Sequence, residues 1–546
     1  MTTANLLKLQ KSLFDYMKKK ALSYEGELSN EFKKYNRDQR RSAKRDFEIS
    51  DLKELLKSIQ QSDLVFLGDF HSFDQSSRNL ERLLRNLIKT KSRKLALGVE
   101  FVHIEHQNAI NQYLDNLITE YEFLESINYH ESWRFPWNHY RIFFQMAKKN
   151  NLKIIALNSS GTLTERDNTA ADNISNFLKD NPDTILLVLF GELHIVPNKL
   201  PKLVKKRLPS ARNTIIHQNL DEVYWKTIED GKHEDGQIVR FNEDEFSLQT
   251  SPPWVKYESM IYWYENLVED PEFEIHEYIM DTGLMAFNSS VPENFLYISE
   301  KISDALQLDI SVSDLEDFNL YDGSRLEYML DKVESLDKNP LRTFYKKLLT
   351  RGRSFKLPFR SILYCPSYSI NRLSFLAGIH IQNIVMQSKD DEHEKVLESG
   401  NKGDIFLYFI YQMCMAYFSS KIINPYRKCN LYKDIQKELN SSTTSALRKN
   451  ILETTLKCID ANESRDQFVK DIAKGKTLYH LHQASRLIGY FLGDLLYDEF
   501  YARKNQKLRQ LMKTLLECPF NEKSFDSFKW TILPRADYKN LKKRFF

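Results

Sequence analysis

The sequence has 546 residues, more than one hydrophobic core usually organises, so two or more domains are expected. Its 42% hydrophobic and 28% charged residues are typical of a globular protein, and only 16 Gly and 15 Pro argue against a loop-rich all-β fold. The net charge is only +3 against 78 basic and 75 acidic side chains, which gives no indication of nucleic acid as a partner.

Five cysteines lie in the second half of the chain, and none forms a Cys-x-x-Cys pair. An odd, scattered set of this kind predicts reduced thiols, mostly buried, in a reducing compartment. The chain also starts without the basic residues and apolar run of a signal peptide. We therefore expect a cytoplasmic protein with free thiols at Cys365, Cys414, Cys429, Cys458 and Cys518.

Residues 1–48 are predicted to form a charged helical extension. Its basic clusters at residues 18–20 and 37–45 are interleaved with acidic side chains. This mixture favours a solvated helical face over a surface for anionic partners.

From about residue 50, short apolar runs alternate with amphipathic helices, which predicts right-handed βαβ crossovers and a mostly parallel sheet. We expect a three-layer α/β domain over residues 50–250, with a shorter β-prone stretch over residues 237–249 at its end. The predicted parallel strands are residues 63–67, 94–99, 153–157, 184–190 and 213–217.

Residues 251–253, Ser-Pro-Pro, mark a boundary, and residues 254–546 are predicted to be an all-helical domain of unknown role. Residues 405–418 have no charged side chain, but a membrane-spanning helix needs ~20 apolar residues. We therefore expect a helix buried in a helical core and no membrane span. The predicted helices cover residues 254–268, 324–336, 341–349, 369–385, 405–418, 445–458 and 478–500.

Two copies of a Gly-x-x-His motif, Gly68 to His71 and Gly191 to His194, each directly follow an apolar strand. Groups just past the carboxyl ends of parallel strands face one crevice, where ligands bind in open α/β sheets. A third apolar strand ends at Glu100, which places a carboxylate at the same edge. A lone Gly-x-x-His is more often a hydrogen-bonded histidine than a ligand, but its repetition after two strands favours a shared site.

His71, His194 and Glu100 make a set of two histidines and one carboxylate, which suits a divalent metal ion with open coordination positions. Asp69 or Glu192 could ligate the ion, orient a histidine or act as a base. A bound ion would lower the pKa of a water and polarise a carbonyl, with Glu192, Asp69 or Glu100 as base. This chemistry would serve a metal-dependent hydrolase.

Together these motifs resemble the Tiki/TraB/erythromycin-esterase superfamily, and most of all its ChaN branch of haem-binding uptake proteins. The resemblance covers about residues 50–220 and implies haem binding or iron handling. The stretches that carry it are residues 65–71, residues 97–100, Trp133 with Trp137 and Tyr140, residues 154–158, Arg166-Asp167 with Ala171, and residues 191–194.

Some features of the chain depart from the pattern of this branch. Asp69 stands where the family usually has Glu, and Ala170 stands where it has Met. The lipoprotein signal typical of the ChaN branch is absent, which argues against a role in uptake at an outer membrane. A tyrosine outside these motifs is implicated in haem contact in that branch, and no motif here assigns it.

We therefore expect a ChaN-like haem-binding or iron/metal-binding protein, with a metal-dependent hydrolase as the alternative. A domain that only presents the helical half to a protein partner is the third hypothesis. The expected cofactor is haem or a divalent metal ion at His71, Glu100 and His194, with Glu192 and Asp69 as the catalytic candidates. The expected partner is haem or a small-molecule ligand, without nucleic acid, and a homo-oligomer is left open.

Overall fold

The computed structural model describes residues 3–24, 28–90, 93–133, 135–232, 237–264, 290–366, 369–388, 390, 392–461, 468–502, 508–517, 522–533 and 538–541. The chain packs as two compact units. One holds residues 14–282, and the other holds residues 1–13 and 283–544. The first is an α/β unit and the second is mostly helical, which confirms the predicted fold class.

Eight strands form one sheet in the α/β unit. They are β1 (Glu48–Ile49), β2 (Leu64–Asp69), β3 (Lys94–His103), β4 (Lys153–Asn158), β5 (Thr184–Gly191), β6 (Asn213–Gln218), β7 (Ile238–Asn242) and β8 (Glu245–Leu248). Their order across the sheet is β1-β7-β8-β6-β2-β5-β3-β4. The strands from β8 to β4 in this order run parallel, and β7 and β1 add an antiparallel edge.

Helices cover both faces of this sheet. Successive residues of a strand point to opposite faces, so an apolar strand presents side chains for helices to pack on at each face. Val65 and Leu67 pack in a core with α3, α4 and α8, whereas Leu64 and Phe66 pack in a second core with α9 and α10. The helices up to residue 264 are α1 (Thr3–Ser23), α2 (Asn30–Ala43), α3 (Leu52–Gln61), α4 (Asp74–Thr90), α5 (Gln107–Leu114), α6 (Glu120–Ser126), α7 (Tyr129–Ser132), α8 (Arg141–Asn150), α9 (Leu163–Asp180), α10 (Leu200–Arg207), α11 (Asp221–Glu229) and α12 (Pro253–Trp263).

The strand β3 continues beyond its predicted end at residue 99 as far as His103. Val99 pairs with Ala156 and His103 with Asn158, so β3 contributes two more residues than β4 over this stretch. A bulge of this kind bends a strand and changes the direction of its side chains. Glu100, a predicted site residue, lies at the bulge, so it is part of a strand and does not follow one.

The other unit is mostly helical, with one small sheet that the sequence analysis did not predict. Strands β9 (Asn319–Tyr321), β10 (Phe355–Leu357) and β11 (Ile362–Tyr364) are too short to show a periodic pattern. Its helices are α13 (Ser290–Leu306), α14 (Val312–Glu316), α15 (Leu326–Glu334), α16 (Asn339–Thr350), α17 (Ile370–Gln387), α18 (Lys402–Ile423), α19 (Tyr432–Leu439), α20 (Ala446–Asp460), α21 (Phe468–Ala473), α22 (Leu478–Ala502), α23 (Leu508–Glu517) and α24 (Glu522–Ile532).

The uncharged segment at residues 405–418 lies inside α18, and all its residues except Gln412 are buried. This confirms the prediction of a buried helix. Among the helices that the structure describes, none is long and apolar enough to cross a membrane. The predicted helix at residues 254–268 begins as α12, and its residues 265–268 lie outside the described residues.

The prediction of buried thiols outside disulfides is confirmed for four of the five cysteines. Cys365, Cys414, Cys429 and Cys458 are buried, and none of them is in a disulfide bond among the described residues. Cys518 lies outside the described residues.

A glycine lets α22 approach the backbone of α18 closely. A Cβ atom at Gly489 would lie 2.6 Å from the Cβ of Met413 and 2.7 Å from the backbone nitrogen of Cys414. These atoms belong to a buried helix and cannot move aside without shifting its backbone. The close contact therefore depends on the missing side chain.

We expect Gly489→Ala to lower the free energy of unfolding by about 1–3 kcal/mol, because overpacking a tight core forces its backbone apart. Chemical denaturation of the full chain measures this change. Lys437→Ala, at an exposed position of α19 in the same unit, serves as the control and should change stability by less than about 0.5 kcal/mol. Equal stability of Gly489→Ala and the unmodified chain would contradict the close packing.

Candidate functional site

The strand order brings the two Gly-x-x-His motifs together, because β5 lies between β2 and β3. Asp69 of β2 pairs with Gly191 of β5, so both motifs leave the sheet side by side. A Cβ atom at Gly191 would lie 3.3 Å from His71 Nε2, 3.3 Å from His194 Cδ2 and 3.2 Å from Glu100 Oε2. The structure thus places His71, Glu100 and His194 around one point, which the missing side chain of Gly191 leaves open.

His71 is held by a carboxylate from its own motif. Its Nδ1 lies 2.9 Å from Asp69 Oδ2, and the Tyr140 hydroxyl donates to the same oxygen over 3.0 Å. Burial opposes protonation of His71, but the hydrogen bond and charge of Asp69 and the charge of Glu100 outweigh it and raise its pKa. The Nε2 atom lies 3.8 Å from Glu100 Oε2, beyond hydrogen-bond distance, and 23% of the side chain is exposed.

His194 has a similar arrangement on the other face of the sheet. Its Nδ1 lies 2.5 Å from Asp167 Oδ1, at the start of α9. The Tyr35 hydroxyl donates to the second oxygen of Asp167 over 2.7 Å, and burial followed by this hydrogen bond raises the pKa of Tyr35. The side chain of His194 is only 7% exposed. Both imidazoles therefore have Nδ1 on an aspartate and turn their other edge towards Gly191.

Glu100 is already paired within the protein. Arg166 donates to one of its oxygens, and the backbone N–H of Gly191 donates to the other over 2.6 Å. Burial would raise the pKa of Glu100, but the charges of Arg166 and the two imidazoles, with the Gly191 hydrogen bond, lower it. Arg166 is fixed in turn by Asn158, whose side-chain oxygen accepts from its Nε over 3.1 Å. Glu100 is thus a stable carboxylate that bridges two strands and α9.

Glu192, a predicted catalytic residue, belongs to a different group of charges. Its carboxylate lies 3.8 Å from the ammonium nitrogen of Lys256, which is also 3.5 Å from Asp221. Lys256 is 4% exposed, and although burial opposes its charge, Glu192 and Asp221 raise its pKa. Glu192 therefore neutralises a buried lysine, and it makes no hydrogen bond to His71 or His194 among the described residues.

Aromatic rings border the exposed side of His71. The ring of Trp133 lies 4.6 Å from the imidazole and that of Phe135 lies 5.1 Å away, measured between centroids. Trp263 stacks on Phe135 at 4.5 Å. Trp133 is itself buried, with 9% of its surface exposed, and Trp137 is fully buried, so both rings belong to the core. One face of His71 is therefore apolar and the other is charged.

The described part of the chain contains no group of three or more His, Cys, Asp or Glu side chains arranged to hold a metal ion. The predicted ligands do converge, but Arg166 and a backbone N–H occupy the carboxylate of Glu100. The structure gives no support to a divalent ion at His71, Glu100 and His194.

The sequence patterns alone assigned no role to four residues of the site. Arg166 and Asp167 enter there only as part of the family resemblance. An Arg-Asp pair in the first turns of a helix that follows a strand is a local signal that could have placed them. Tyr35 and Lys256 lie far along the chain from both motifs, and no local pattern connects them with the site.

The fold and the site together define a class of protein. Its members have an open α/β sheet with imidazoles and carboxylates clustered at the carboxyl ends of the strands. Residues 55–166 match the family model described as haem-binding uptake, Tiki superfamily, ChaN. This match confirms the predicted resemblance, and over these residues the chain is similar to a haem-binding family. The matched range contains His71 and Glu100, and the second Gly-x-x-His motif lies beyond it.

A solved structure described as "Cofacial heme binding to ChaN of Campylobacter jejuni" is similar to this chain at 15% sequence identity and a TM-score of 0.25. The similarity covers 31% of this chain and 87% of that chain. No curated protein matches the sequence.

We expect Asp69→Asn to lower the pKa of His71 below its ordinary value near ~6.5, because burial then acts without the opposing aspartate charge. The measurement is an NMR pH titration of the full chain with labelled histidine, His71 being assigned by substitution. Asp180→Asn, at an exposed carboxylate of α9, is the control and should leave the titration unchanged. A His71 pKa that is unaffected by Asp69→Asn would show that this aspartate does not hold the ring.

The raised pKa of His71 also predicts how this residue changes the free energy of unfolding with pH. Its folded-state pKa is raised, so its contribution is fully present below the unfolded value near ~6.5 and is lost as pH rises through the folded-state pKa. Denaturation of the unmodified chain and of Asp69→Asn across this range should show a difference in stability that shrinks with rising pH. A difference that grows with pH would contradict the assignment.

Proposed function

We propose that the α/β unit binds haem at the carboxyl edge of its sheet, with His71 as the ligand to the iron. The observation that carries the proposal is a partly exposed imidazole whose Nδ1 is fixed by Asp69 and whose Nε2 has no hydrogen-bond partner among the described residues. A carboxylate on the second nitrogen orients a ligating histidine and makes it a stronger ligand. The similarity of residues 55–166 to a haem-binding family supports this choice of ligand.

The surroundings of His71 fit haem. A haem site needs an apolar surface for the flat ring and an axial ligand for the iron. Trp133 and Phe135 lie beside the imidazole, and Trp263 extends this aromatic surface by stacking on Phe135. Bound haem would supply an iron centre whose reduction potential depends on its axial ligand and on the polarity around it.

The three residues predicted as ligands then have different roles. His71 is the one that solvent reaches most easily, whereas His194 is 7% exposed and Glu100 is 3% exposed. Glu100 and His194 would therefore set the charge beside the iron ligand and would not bind the iron themselves. The four buried thiols outside disulfides support a reducing compartment, so we propose a cytoplasmic location.

We expect His71→Ala to weaken haem binding on the order of ten-fold or more, because even the loss of a residue that only orients a ligand costs ~10–100-fold. Titration of the purified full chain with haemin, followed by the absorption band of the bound haem, measures the affinity. His106→Ala in the same unit is the control, because this half-buried imidazole contacts Glu105 and not the site. His194→Ala should have a smaller effect than His71→Ala.

Haem binding should also weaken as pH falls through the raised pKa of His71, because only the neutral imidazole can ligate iron. Asp69→Asn should shift this loss of binding to lower pH. Unchanged affinity and an unchanged spectrum in His71→Ala would refute His71 as the ligand.

A second candidate function is hydrolysis, which the paired imidazoles favour. Each has Nδ1 on an aspartate and its other edge near Gly191, and a histidine oriented in this way acts as a general base. Glu192 is paired with Lys256, so an imidazole suits the role of base better than the predicted carboxylate.

His194→Ala separates this candidate from haem binding, because His194 belongs to the proposed hydrolytic pair and is not the proposed iron ligand. Gly191→Ala would place a methyl group 3.3 Å from His71 Nε2, between the two imidazoles and Glu100, so it should impair both activities. If the protein is a hydrolase, Gly191→Ala, His71→Ala and His194→Ala should each abolish turnover of an activated ester such as p-nitrophenyl acetate. Turnover that survives all three substitutions, or no turnover by the unmodified chain, would eliminate hydrolysis of this class at the site.

A further inference from the structure

Three arginines lie near the side chain of Tyr490 in the helical unit. Arg486, one turn earlier on α22, donates from Nε and Nη2 to the Tyr490 hydroxyl, both over 3.4 Å. The guanidinium carbon of Arg427 lies 5.9 Å from the centre of the Tyr490 ring and 5.1 Å from that of Tyr417. Arg353 is close enough for its charge to lower the pKa of Tyr490 together with Arg486 and Arg427, against the effect of burial. We call Arg353, Arg427 and Arg486 the arginine cluster.

The described part of the chain offers the positive charges of the arginine cluster no carboxylate partner. None of its three members forms an ion pair with a carboxylate within the described ranges. Asp494, one turn after Tyr490 on α22, is already paired with Lys421.

The hydroxyl of Tyr490 has a proton left to donate. It accepts from Arg486, so its own O–H points to a different partner, and no described residue accepts it. An unused hydroxyl donor beside unpaired guanidinium groups is the donor set of an oxyanion site.

The packing of the helices holds these donors in place. The Tyr490 ring stacks on that of Tyr417 at 4.8 Å, and Tyr417 is fully buried on α18. Arg427 donates from Nη1 to the backbone oxygen of Asn371 over 3.1 Å. Arg427, Arg486 and Tyr490 are half-buried and Arg353 is exposed, so solvent reaches the group from one side.

We propose that the arginine cluster and Tyr490 bind the phosphate group of a phosphorylated small molecule. A phosphate monoester carries a charge of about −1.5 to −2 at neutral pH, which matches three guanidinium groups better than the single charge of a carboxylate. Its several oxygens can accept from two guanidinium groups and a hydroxyl at once, and a guanidinium presents paired donors to such a group.

Calorimetric titration of the full chain with inorganic pyrophosphate tests the proposal, with acetate as the carboxylate comparison. We expect binding of pyrophosphate and none of acetate, and weaker binding at higher salt because the site is partly exposed. Arg427→Gln and Arg486→Gln should each reduce the affinity on the order of ten-fold, and Tyr490→Phe should reduce it less. Arg448→Gln is the control, since it removes one positive charge from the same unit at an arginine paired with Glu438.

Thermal unfolding of each variant without ligand shows whether it is folded. Because the arginines repel one another, the Gln variants should unfold at the same temperature as the unmodified chain or higher. Arg486→Lys keeps the charge but loses the paired donors, so it should bind pyrophosphate more weakly. This variant tests the proposal if a Gln variant fails to fold. Failure of the unmodified chain to bind pyrophosphate, or equal affinity in the folded variants, would overturn the proposal.

Discussion

The pairing of β5 between β2 and β3 determines the position of every group in the candidate site. Each Gly-x-x-His motif begins on one of two adjacent parallel strands, and Glu100 is on the third. Because parallel strands end at one edge of the sheet, the imidazoles and the carboxylate meet there without a long loop. Gly191 completes the arrangement, since a side chain at this position would contact all three groups within 3.3 Å.

Burial imposes the second constraint, because a charge removed from water needs a partner. Asp69 and Asp167 each hold an imidazole, and Glu100 holds Arg166. Each carboxylate therefore has its own cationic or hydrogen-bonding partner, and the site is an internally compensated network. Such a network orients a ligand or a proton well, but it leaves no free carboxylate for a bare divalent ion. This explains why residues of the right types for metal binding do not form a metal site here.

The sequence predicted those features that depend on local pattern. The apolar strands, the amphipathic helices and the residues directly after the strands follow from periodicity and from the rule that ligands bind at strand ends. The bulge of β3 at Glu100 and the ion pair of Glu192 with Lys256 depend on contacts between distant parts of the chain. The hydrophobic periodicity of the sequence carries no information about these contacts. A carboxylate next to a predicted histidine can therefore belong to another charge network, as Glu192 does.

The imidazole network of the α/β unit and the arginine cluster of the helical unit differ in how their charges are compensated. In the α/β unit each carboxylate of the imidazole network has a partner, so a ligand gains little there by neutralising charge and must bind through a free nitrogen and an apolar surface. In the helical unit Arg427 and Arg486 lie against aromatic rings with no carboxylate paired to them in the described residues. A bound anion would reduce the repulsion among these cations, and this reduction would contribute to the free energy of binding. Charge compensation thus distinguishes the proposed haem site from the proposed phosphate site.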